Sequence, residues 1–428
     1  MPESEFQFRD GTLVCEDVDL SAVADRFGTP SYVYSKHAIV SRYRAYESAL
    51  AGLRRRICYS VKANSNLSIL DVLRAEGAGF DIVSGGELYR VLAAGGEASS
   101  VVFSGVGKTE GEIRFALQEE IHSFNCESLA EIETISRLAA TLERTASIAI
   151  RVNPDVDAVT HPYISTGLRE HKFGVDIATA EELYCYAAKL PAIVTEGVSC
   201  HIGSQLLTID PLIEAADRII TLAERLRTRG LPIRHLDLGG GLGVPYRSSD
   251  PALSINALID HIGPKIRALD LMLMLEPGRS VVAEAGVLLT RVLLTKQNGG
   301  KKFVVVDAAM NDLIRPALYQ AHHEIVSVRQ ASGREHIQAD VVGPICETGD
   351  FFARGRVIEA VEAGELLAIR TAGAYGFVLA CNYNSRPRPC ELLIDGSHIS
   401  VAKRRESYED LVRGESLSTI VHTDLETA

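Results

Sequence analysis

Between about residue 55 and residue 280, the chain repeats one rhythm of hydrophobic and polar positions. A short β-rich apolar run ends in a polar or glycine cluster, and a stretch with helical periodicity follows. The strand-like runs are Ile57–Val61, Phe80–Val83, Val101–Phe103, Ile121–Phe124, Ser147–Val152, Gly197–Cys200, His235–Leu238 and Leu271–Leu275. The helical stretches include Leu67–Glu76, Glu87–Ala94, Glu127–Leu142, Ala180–Lys189 and Pro211–Arg229.

Eight such strand–helix units favour a closed parallel (β/α)8 barrel of the TIM type. An open, doubly wound parallel sheet is the alternative that the pattern alone leaves open. Two segments have the polar side chains that begin helices, Asn125-Cys-Glu-Ser128 and Thr208-Ile-Asp210.

The pattern changes after Val281, where short strands separated by turns predominate. Helical periodicity is confined there to Ile314–Ala321 and the tail near Tyr408–Arg413. The predicted strands are Val287–Leu294, Lys302–Val306, His336–Val342, Leu366–Ala372, Gly376–Leu379 and Leu392–Asp395. We therefore predict three regions. An N-terminal segment (1–36) pairs with the last region, the barrel spans 37–280, and a C-terminal β-domain, a β-sandwich or β-barrel, spans 281–428.

Composition narrows the possible partners. The chain has 428 residues, a net charge of −12 and no tryptophan. An acidic surface with few aromatic residues disfavours nucleic acid. No apolar run reaches the about 18 residues of a membrane helix, and the N-terminus lacks a signal pattern. The cysteines include no CxxC pair and no zinc spacing. We expect a cytoplasmic protein with no metal and no membrane partner.

Chemically capable residues collect at the predicted strand ends. A parallel barrel carries its active site at the carboxyl ends of its strands. The residues there are Lys62, Asp81, Ser104, Asn125, Arg151, His201, Ser204, the triple glycine Gly239-Gly240-Gly241, Glu276, Gly278 and Arg279. Polar loops are common, but this set combines an amine, an imidazole, a carboxylate, a guanidinium and a glycine turn on one rim.

Lys62 is the candidate nucleophile. Burial on an apolar strand disfavours its ammonium, lowers its pKa and suits it to bond a carbonyl carbon. A lysine that reaches out to solvent is the structural alternative. The glycines after Asp237 let backbone N–H groups approach a phosphate, although a tight barrel turn would need them too.

Together these residues fit pyridoxal phosphate. Lys62 would bond the aldehyde carbon, and the glycine turns would hold the phosphate. His201 would stack on the pyridine ring, although a hydrogen-bonded core histidine is an equal alternative. Glu276 would pair with the ring nitrogen and keep it protonated, which favours carbanion chemistry such as decarboxylation.

The second region adds four candidates. Arg315 and Tyr319 stand at i and i+4 of a predicted helix, and Arg315 could grip a carboxylate. Cys346 precedes Glu347 in a constrained loop and could donate a proton. Tyr375 lies in the glycine turn Gly373–Gly376. Each signal is weak alone, because surface pairs and turn residues are common.

The combined motifs resemble the fold type III pyridoxal-phosphate decarboxylases. These motifs are Tyr59-Ser-Val-Lys-Ala-Asn64, His201-Ile-Gly-Ser204, Gly239-Gly-Gly241, Glu276-Pro-Gly-Arg279, Cys346-Glu347 and Gly373-Ala-Tyr-Gly376. Two more segments resemble the diaminopimelate decarboxylase branch of that family. They are the stretch from Arg151-Val-Asn-Pro-Asp155 to Thr160–Gly174, and Met310-Asn-Asp-Leu-Ile-Arg-Pro-Ala-Leu-Tyr319.

The resemblance implies decarboxylation of meso-2,6-diaminopimelate to L-lysine, the last step of lysine biosynthesis. It implies that Lys62 and Cys346 are catalytic, with Cys346 as proton donor. The implied cofactor residues are Lys62, Asp81, Arg151, His201, Ser204, Gly240, Gly241, Glu276, Gly278, Arg279 and Tyr375. The implied substrate residues are Arg279, Arg315, Tyr319, Glu347 and Tyr375. It also implies a homodimer whose Cys346-Glu347 loop enters the other chain's active site.

Rival functions remain open at this point. The same fold could act on ornithine, arginine or carboxynorspermidine, although Arg315 speaks against substrates without a far carboxylate. A non-catalytic pyridoxal-phosphate protein would be expected to lack Lys62 or the Cys346-Glu347 loop, and both are present.

Overall fold

The computed structural model describes residues 5–156 and 172–417, and all elements below belong to them. The N-terminal region holds β1 (Phe6–Arg9), β2 (Thr12–Cys15), β3 (Val18–Asp19), α1 (Leu20–Phe27) and β4 (Ser31–Ser35). The first three strands form a small antiparallel sheet. The sequence pattern did not predict α1, which begins where the Asp19 side chain accepts a hydrogen bond from the backbone N–H of Ser21.

The next region alternates strands with helices. Its strands are β5 (Arg55–Ser60), β6 (Gly79–Ile82), β7 (Val101–Phe103), β8 (Ser123–Cys126), β9 (Ala146–Asn153), β10 (Val175–Asp176), β11 (Ile193–Ser199), β12 (His235–Asp237) and β13 (Met272–Leu275). Its helices are α2 (Lys36–Ala49), α3 (Leu67–Ala75), α4 (Gly85–Ala93), α5 (Glu110–Gln118), α6 (Leu129–Thr141), α7 (Ile177–Ala187), α8 (Asp210–Thr228), α9 (Asn256–Ala268) and α10 (Arg279–Val282).

Eight of these strands close into a parallel barrel in the described part of the chain. Their order is β5, β6, β7, β8, β9, β11, β12 and β13, and β13 pairs with β5. The barrel prediction is confirmed, and the open-sheet alternative is wrong. The predicted helix start at Ser128 is also correct, because the Ser128 hydroxyl accepts from the backbone N–H of Glu131. Closure brings the carboxyl ends of all eight strands to one rim.

The remaining elements form a separate sheet domain. They are β14 (Gly286–Asn298), β15 (Lys301–Val306), α11 (Arg315–Tyr319), β16 (Ile325–Ser327), β17 (His336–Val342), β18 (Phe351–Glu359), β19 (Leu366–Ile369), β20 (Cys390–Asp395), β21 (His398–Lys403) and α12 (Tyr408–Leu411). The N-terminal strand β4 lies between β14 and β20 in this sheet. The prediction that the N-terminal strand joins the second domain is therefore confirmed.

One predicted strand of this domain is wrong. Residues Phe377–Leu379 form a single 3₁₀ turn. The preceding loop docks on the barrel instead of pairing in the sheet, since the backbone N–H of Tyr375 donates to the carbonyl oxygen of Ala63 at 2.8 Å. A Cβ on Gly373 would lie 1.9 Å from the carbonyl oxygen of Val282, so only glycine allows this approach.

Strands β18 and β21 were not predicted from the sequence. In β18 the residues Arg354, Gly355 and Val357 are exposed, and in β21 no residue is buried. None of the described helices combines the length and the apolar character that crossing a bilayer requires.

Candidate active site

Lys62 lies at the rim end of β5, in a short 3₁₀ turn over Val61–Ala63. Its Nζ donates to Oδ2 of Asp81, at the end of β6, over 3.1 Å, and the Ser60 hydroxyl donates to the same oxygen over 2.5 Å. Burial opposes the ammonium, but attraction to Asp81 and Glu276 outweighs it and raises the pKa of Lys62. The expected lowering of this pKa is therefore wrong for the free lysine, which is held as a charged amine.

A cluster of carboxyl groups lies beside Lys62. Burial raises the pKa of Glu276, and Asp237 and Asp81 raise it further because a second nearby negative charge is costly. Burial also raises the pKa of Asp237, which hydrogen-bonds Glu276. Asn125 donates from Nδ2 to Oδ2 of Asp237 at 3.0 Å and to Oε1 of Glu276 at 3.2 Å. We assign one shared proton to this pair, carried by Glu276.

His201 is neutral at this rim. Its Nδ1 accepts a hydrogen bond from the backbone N–H of Gly240 at 3.3 Å, so Nε2 carries the ring proton. Burial lowers its pKa, and the charges of Arg151 and Lys62 lower it further. The glycine turn is packed against the next strand's end, since a Cβ on Gly240 would lie 2.3 Å from the carbonyl oxygen of Glu276.

Arg151 is held by protein groups through both terminal nitrogens, while its Nε has no hydrogen-bond partner in the described residues. It forms a buried ion pair with Glu127, with 3.1 Å between Nη1 and Oε1, and its guanidinium lies 4.8 Å from the ring centre of Phe173. Its Nη2 also donates to the carbonyl oxygen of His201 at 3.4 Å. Arg151 thus holds the strand end that carries His201 and adds positive charge behind it.

Arg279 begins α10, three residues after Glu276, and is buried. Its Nη1 donates to the hydroxyl of Tyr246 at 2.8 Å, and its Nη2 donates to the hydroxyl of Ser204 at 3.0 Å. Its guanidinium also lies 4.7 Å from the ring centre of Tyr375. Tyr375 has a φ of +53°, a left-handed conformation that is strained for a side chain of this size. The sheet domain thus places an aromatic wall on the barrel rim.

Arg315 enters the same space from the sheet domain. It is buried, and its guanidinium lies 5.0 Å from the ring centre of Tyr246 and 5.8 Å from that of Tyr319. The predicted shared face of Arg315 and Tyr319 is therefore present in α11. Burial lowers the pKa of Arg315, and the neighbouring positive charge of Arg279 lowers it further.

The two guanidinium groups have a common deficit. Among residues 5–156 and 172–417, no carboxylate lies within ion-pairing distance of either Arg279 or Arg315. Two like charges that are buried together without a counter-charge are costly. The arrangement therefore suits an anionic group that the described residues do not supply.

The Cys346-Glu347 loop lies apart from these residues. Both residues are exposed, and in the described contacts neither bonds to the barrel site. The loop is nevertheless fixed, because the backbone N–H of Ile345 donates to Asp350 at 2.7 Å and that of Cys346 donates to Asn384 at 2.9 Å. Within one chain, the described contacts include none between Cys346 and Lys62.

Comparison with known proteins identifies the family. Residues 36–283 match the pyridoxal binding domain of the pyridoxal-dependent decarboxylases. The diaminopimelate decarboxylase of Pseudomonas aeruginosa is 55% identical over 414 residues, which cover 96% of this chain and 99% of that protein. The chain belongs to the diaminopimelate decarboxylases. The activity expected from the sequence motifs, that of a pyridoxal-phosphate-dependent decarboxylase, is therefore that of its family.

Solved structures of the family have the same fold. The Helicobacter pylori diaminopimelate decarboxylase, solved with L-lysine, is 43% identical with a TM-score of 0.89, covering 92% of this chain and 98% of that one. The M. jannaschii enzyme, also solved with L-lysine, is 37% identical with a TM-score of 0.91, covering 96% of this chain and 98% of that one.

The residues at the rim fit the cofactor of this family, pyridoxal 5'-phosphate. Asp81 and Glu276 act on the single ammonium of Lys62, and Asp237 hydrogen-bonds Glu276. Oδ1 of Asp81 is buried without a hydrogen-bond partner in the described residues. A protonated pyridine nitrogen supplies the positive charge that this cluster lacks. The glycine turn beside them carries no side chains, and a Cβ on Gly239 would lie 2.7 Å from Nδ1 of His201.

Several site residues were missed by sequence reasoning. Asp237 directly precedes the glycine turn at a strand end, and that position was a usable signal. Tyr246 and His323 lie in irregular segments, where no periodicity points to them. Most of the family-like segment Thr160–Gly174 lies outside the described residues.

Proposed function

We propose that this chain decarboxylates meso-2,6-diaminopimelate to L-lysine and CO2, the last step of lysine biosynthesis. The buried pair Arg279 and Arg315, which has no carboxylate partner in the described chain, carries the proposal. The substrate has a second amino-acid centre whose carboxylate remains after decarboxylation. That carboxylate supplies the counter-charge, whereas ornithine has no carboxylate at its far end and would leave the guanidinium groups unpaired.

We assign the cofactor to the rim residues. The residues that would hold it are Lys62, Asp81, Arg151, His201, Ser204, Gly240, Gly241, Glu276, Gly278, Arg279 and Tyr375. Lys62 would bond its aldehyde carbon, Glu276 would face its ring nitrogen and His201 would lie flat against its ring. When bound, pyridoxal phosphate withdraws electrons from the bond between Cα and the departing carboxylate.

The remaining roles belong to the chain's own side chains. Arg279 and Arg315 bind the far carboxylate, and Tyr319 and Tyr375 bound the substrate pocket. Asp81 keeps Lys62 oriented at the rim, and Glu276 and Asp237 share one proton in their hydrogen bond. Cys346 donates a proton to Cα after CO2 has left, and Glu347 binds the far ammonium group.

We also propose a homodimer in which the Cys346-Glu347 loop of one chain completes the site of the other. The loop is exposed, Asn384 accepts a hydrogen bond from its backbone, and the described contacts include none between it and Lys62 of its own chain. Dimer formation should therefore be required for activity. Equal specific activity at concentrations well above and well below the dimer dissociation constant would contradict this arrangement.

The direct test is the release of CO2 and L-lysine from meso-diaminopimelate by purified holoenzyme. The wild type should release both in equal amounts, and Lys62→Ala should release neither and lose the cofactor's absorbance band. Turnover of ornithine with none of diaminopimelate would refute the proposed substrate.

A further inference from the structure

His323 contacts the proposed substrate-binding arginine from behind. It is fully buried in the segment that follows α11. The Nε of Arg315 donates a hydrogen bond to Nε2 of His323 over 3.3 Å. The imidazole ring also meets the Tyr246 ring edge-on, with 5.3 Å between the ring centres. His323 therefore contacts both Arg315 and Tyr246, the ring against which the Arg315 guanidinium lies.

The proton on this ring can be assigned from its partners. Nδ1 lies 2.9 Å from the carbonyl oxygen of Arg370, which can only accept, so Nδ1 carries the proton and Nε2 offers a lone pair. Burial lowers the pKa of His323 to about 3, and the positive charge of Arg315 contributes. The ring is thus neutral and can serve as an acceptor for Arg315.

This contact decides which edge of the guanidinium is available. A guanidinium can grip a carboxylate through its two terminal NH2 groups or through Nε and one NH2 group. His323 uses Nε, and in the described residues Nη1 and Nη2 of Arg315 have no hydrogen-bond acceptor. The edge formed by the two terminal NH2 groups is therefore the one that remains for a ligand.

We propose that His323 is a positioning residue: its Nε2 lone pair holds Nε of Arg315 and directs the two terminal NH2 groups at the substrate's far carboxylate. The inference rests on the proposed function, because Arg315 must bind that carboxylate. It predicts that His323 affects ligands with the carboxylate and spares those without it.

The test compares three holoenzyme variants. His323→Asn keeps a donor at the Nδ1 position but removes the acceptor, His323→Gln places an acceptor at the Nε2 position, and His322→Asn is the control. His322 is adjacent and bonds the Tyr246 carbonyl oxygen, not Arg315. The probes are meso-diaminopimelate in steady-state kinetics, and L-lysine and cadaverine in calorimetry. Cadaverine is L-lysine without its carboxylate.

We expect His323→Asn to raise KM for meso-diaminopimelate and Kd for L-lysine about tenfold, with kcat and the Kd of cadaverine within about twofold of wild type. His323→Gln and His322→Asn should stay within about threefold. Equal effects of His323→Asn and His323→Gln, or an equal loss of cadaverine binding, would overturn the proposal.

Two measurements keep the outcomes distinct. If Arg315→Ala leaves L-lysine binding unchanged, the proposed role of Arg315 fails and this inference fails with it. If Arg315→Ala weakens L-lysine and His323→Asn does not, only the positioning role fails. A further test uses only the wild type, so it does not depend on whether a variant folds. Nitrogen-15 spectra of the histidine-labelled protein report which ring nitrogen carries the proton. They should give the Nδ1–H tautomer for His323, and the Nε2–H tautomer would overturn the proposal.

Discussion

The two sides of the barrel mouth have opposite charge deficits. On the acidic side, Asp81 and Glu276 attract one ammonium, Lys62, and Asp237 hydrogen-bonds Glu276. On the other side, Arg279 and Arg315 are buried with no carboxylate partner in the described chain. The first side lacks a cation and the second lacks an anion. A folded chain rarely tolerates either deficit without a ligand that offsets it.

The opposite charge deficits indicate which ligand group each side binds. The acidic side stabilises a protonated ring nitrogen, and the cationic side stabilises a carboxylate. One mouth can therefore hold a cofactor at one end and select the far end of a substrate at the other. A substitution on one side should therefore leave the ligand of the other side bound.

The largest effect is expected on the cationic side. Arg315→Ala should raise KM for meso-diaminopimelate about 100-fold, because truncating one partner of a buried charge pair costs about 3 kcal/mol. The cofactor's absorbance should not change. Arg144→Ala is the control, since its guanidinium pairs with Glu120 on the surface. An unchanged KM in Arg315→Ala would remove this residue from the substrate site.

On the acidic side, Glu276→Gln should lower kcat about 30-fold and change KM by less than about threefold, since one charge-assisted hydrogen bond is worth about 2 kcal/mol. Glutamine keeps the shape and the bond to Asn125 but cannot hold the ring nitrogen's proton. Stopped-flow absorbance at saturating substrate would measure the rate of decarboxylation. A kcat equal to that of wild type would contradict the role of Glu276.

The same substitution should change how stability depends on pH in the cofactor-free protein. The pKa of Glu276 is raised on folding, so the folded state binds an extra proton above the unfolded value of about 4.3. The contribution of protonated Glu276 to the free energy of unfolding is fully present below that pH and is lost as the pH rises. Glu276→Gln should therefore melt about 2–4 °C higher than wild type at pH 8 and the same near pH 4.5. A difference that does not vary with pH would contradict this assignment.

Ser204 should have the smallest effect. Its hydroxyl accepts from Nη2 of Arg279 at 3.0 Å and from Nε at 3.3 Å. Ser204→Ala should raise KM about fivefold with an unchanged kcat, because one hydrogen bond contributes about 1 kcal/mol. A Ser204→Ala enzyme indistinguishable from wild type would mean that Tyr246 alone orients Arg279.

Much of the fold was predictable because the barrel repeats a local pattern. Each barrel strand is a short apolar run bounded by polar residues, and His235–Asp237 and Val101–Phe103 lie where the periodicity put them. In the sheet domain, β21 was not predicted, and none of its residues is buried. The domain boundaries drawn at 36/37 and 280/281 stay predictions.

The site was only partly predictable. Lys62 and Glu276 stand at strand ends, so topology alone brought them to one rim. The surroundings of Arg315 did not follow from the pattern, because its contact with Tyr246 arises from the docking of the two domains and its contact with His323 involves an irregular segment. For the same reason, the pKa of Lys62 could not be inferred from burial alone, since it depends on Asp81 from the next strand.

The most direct measurement is the difference in affinity between L-lysine and cadaverine for the holoenzyme, in wild type and in Arg315→Ala, by isothermal titration calorimetry. The two ligands differ only in the carboxylate that the cationic side should recognise. We predict that wild type binds L-lysine at least about 100-fold more tightly, and that most of this difference disappears in Arg315→Ala. Equal affinities in wild type would contradict the account.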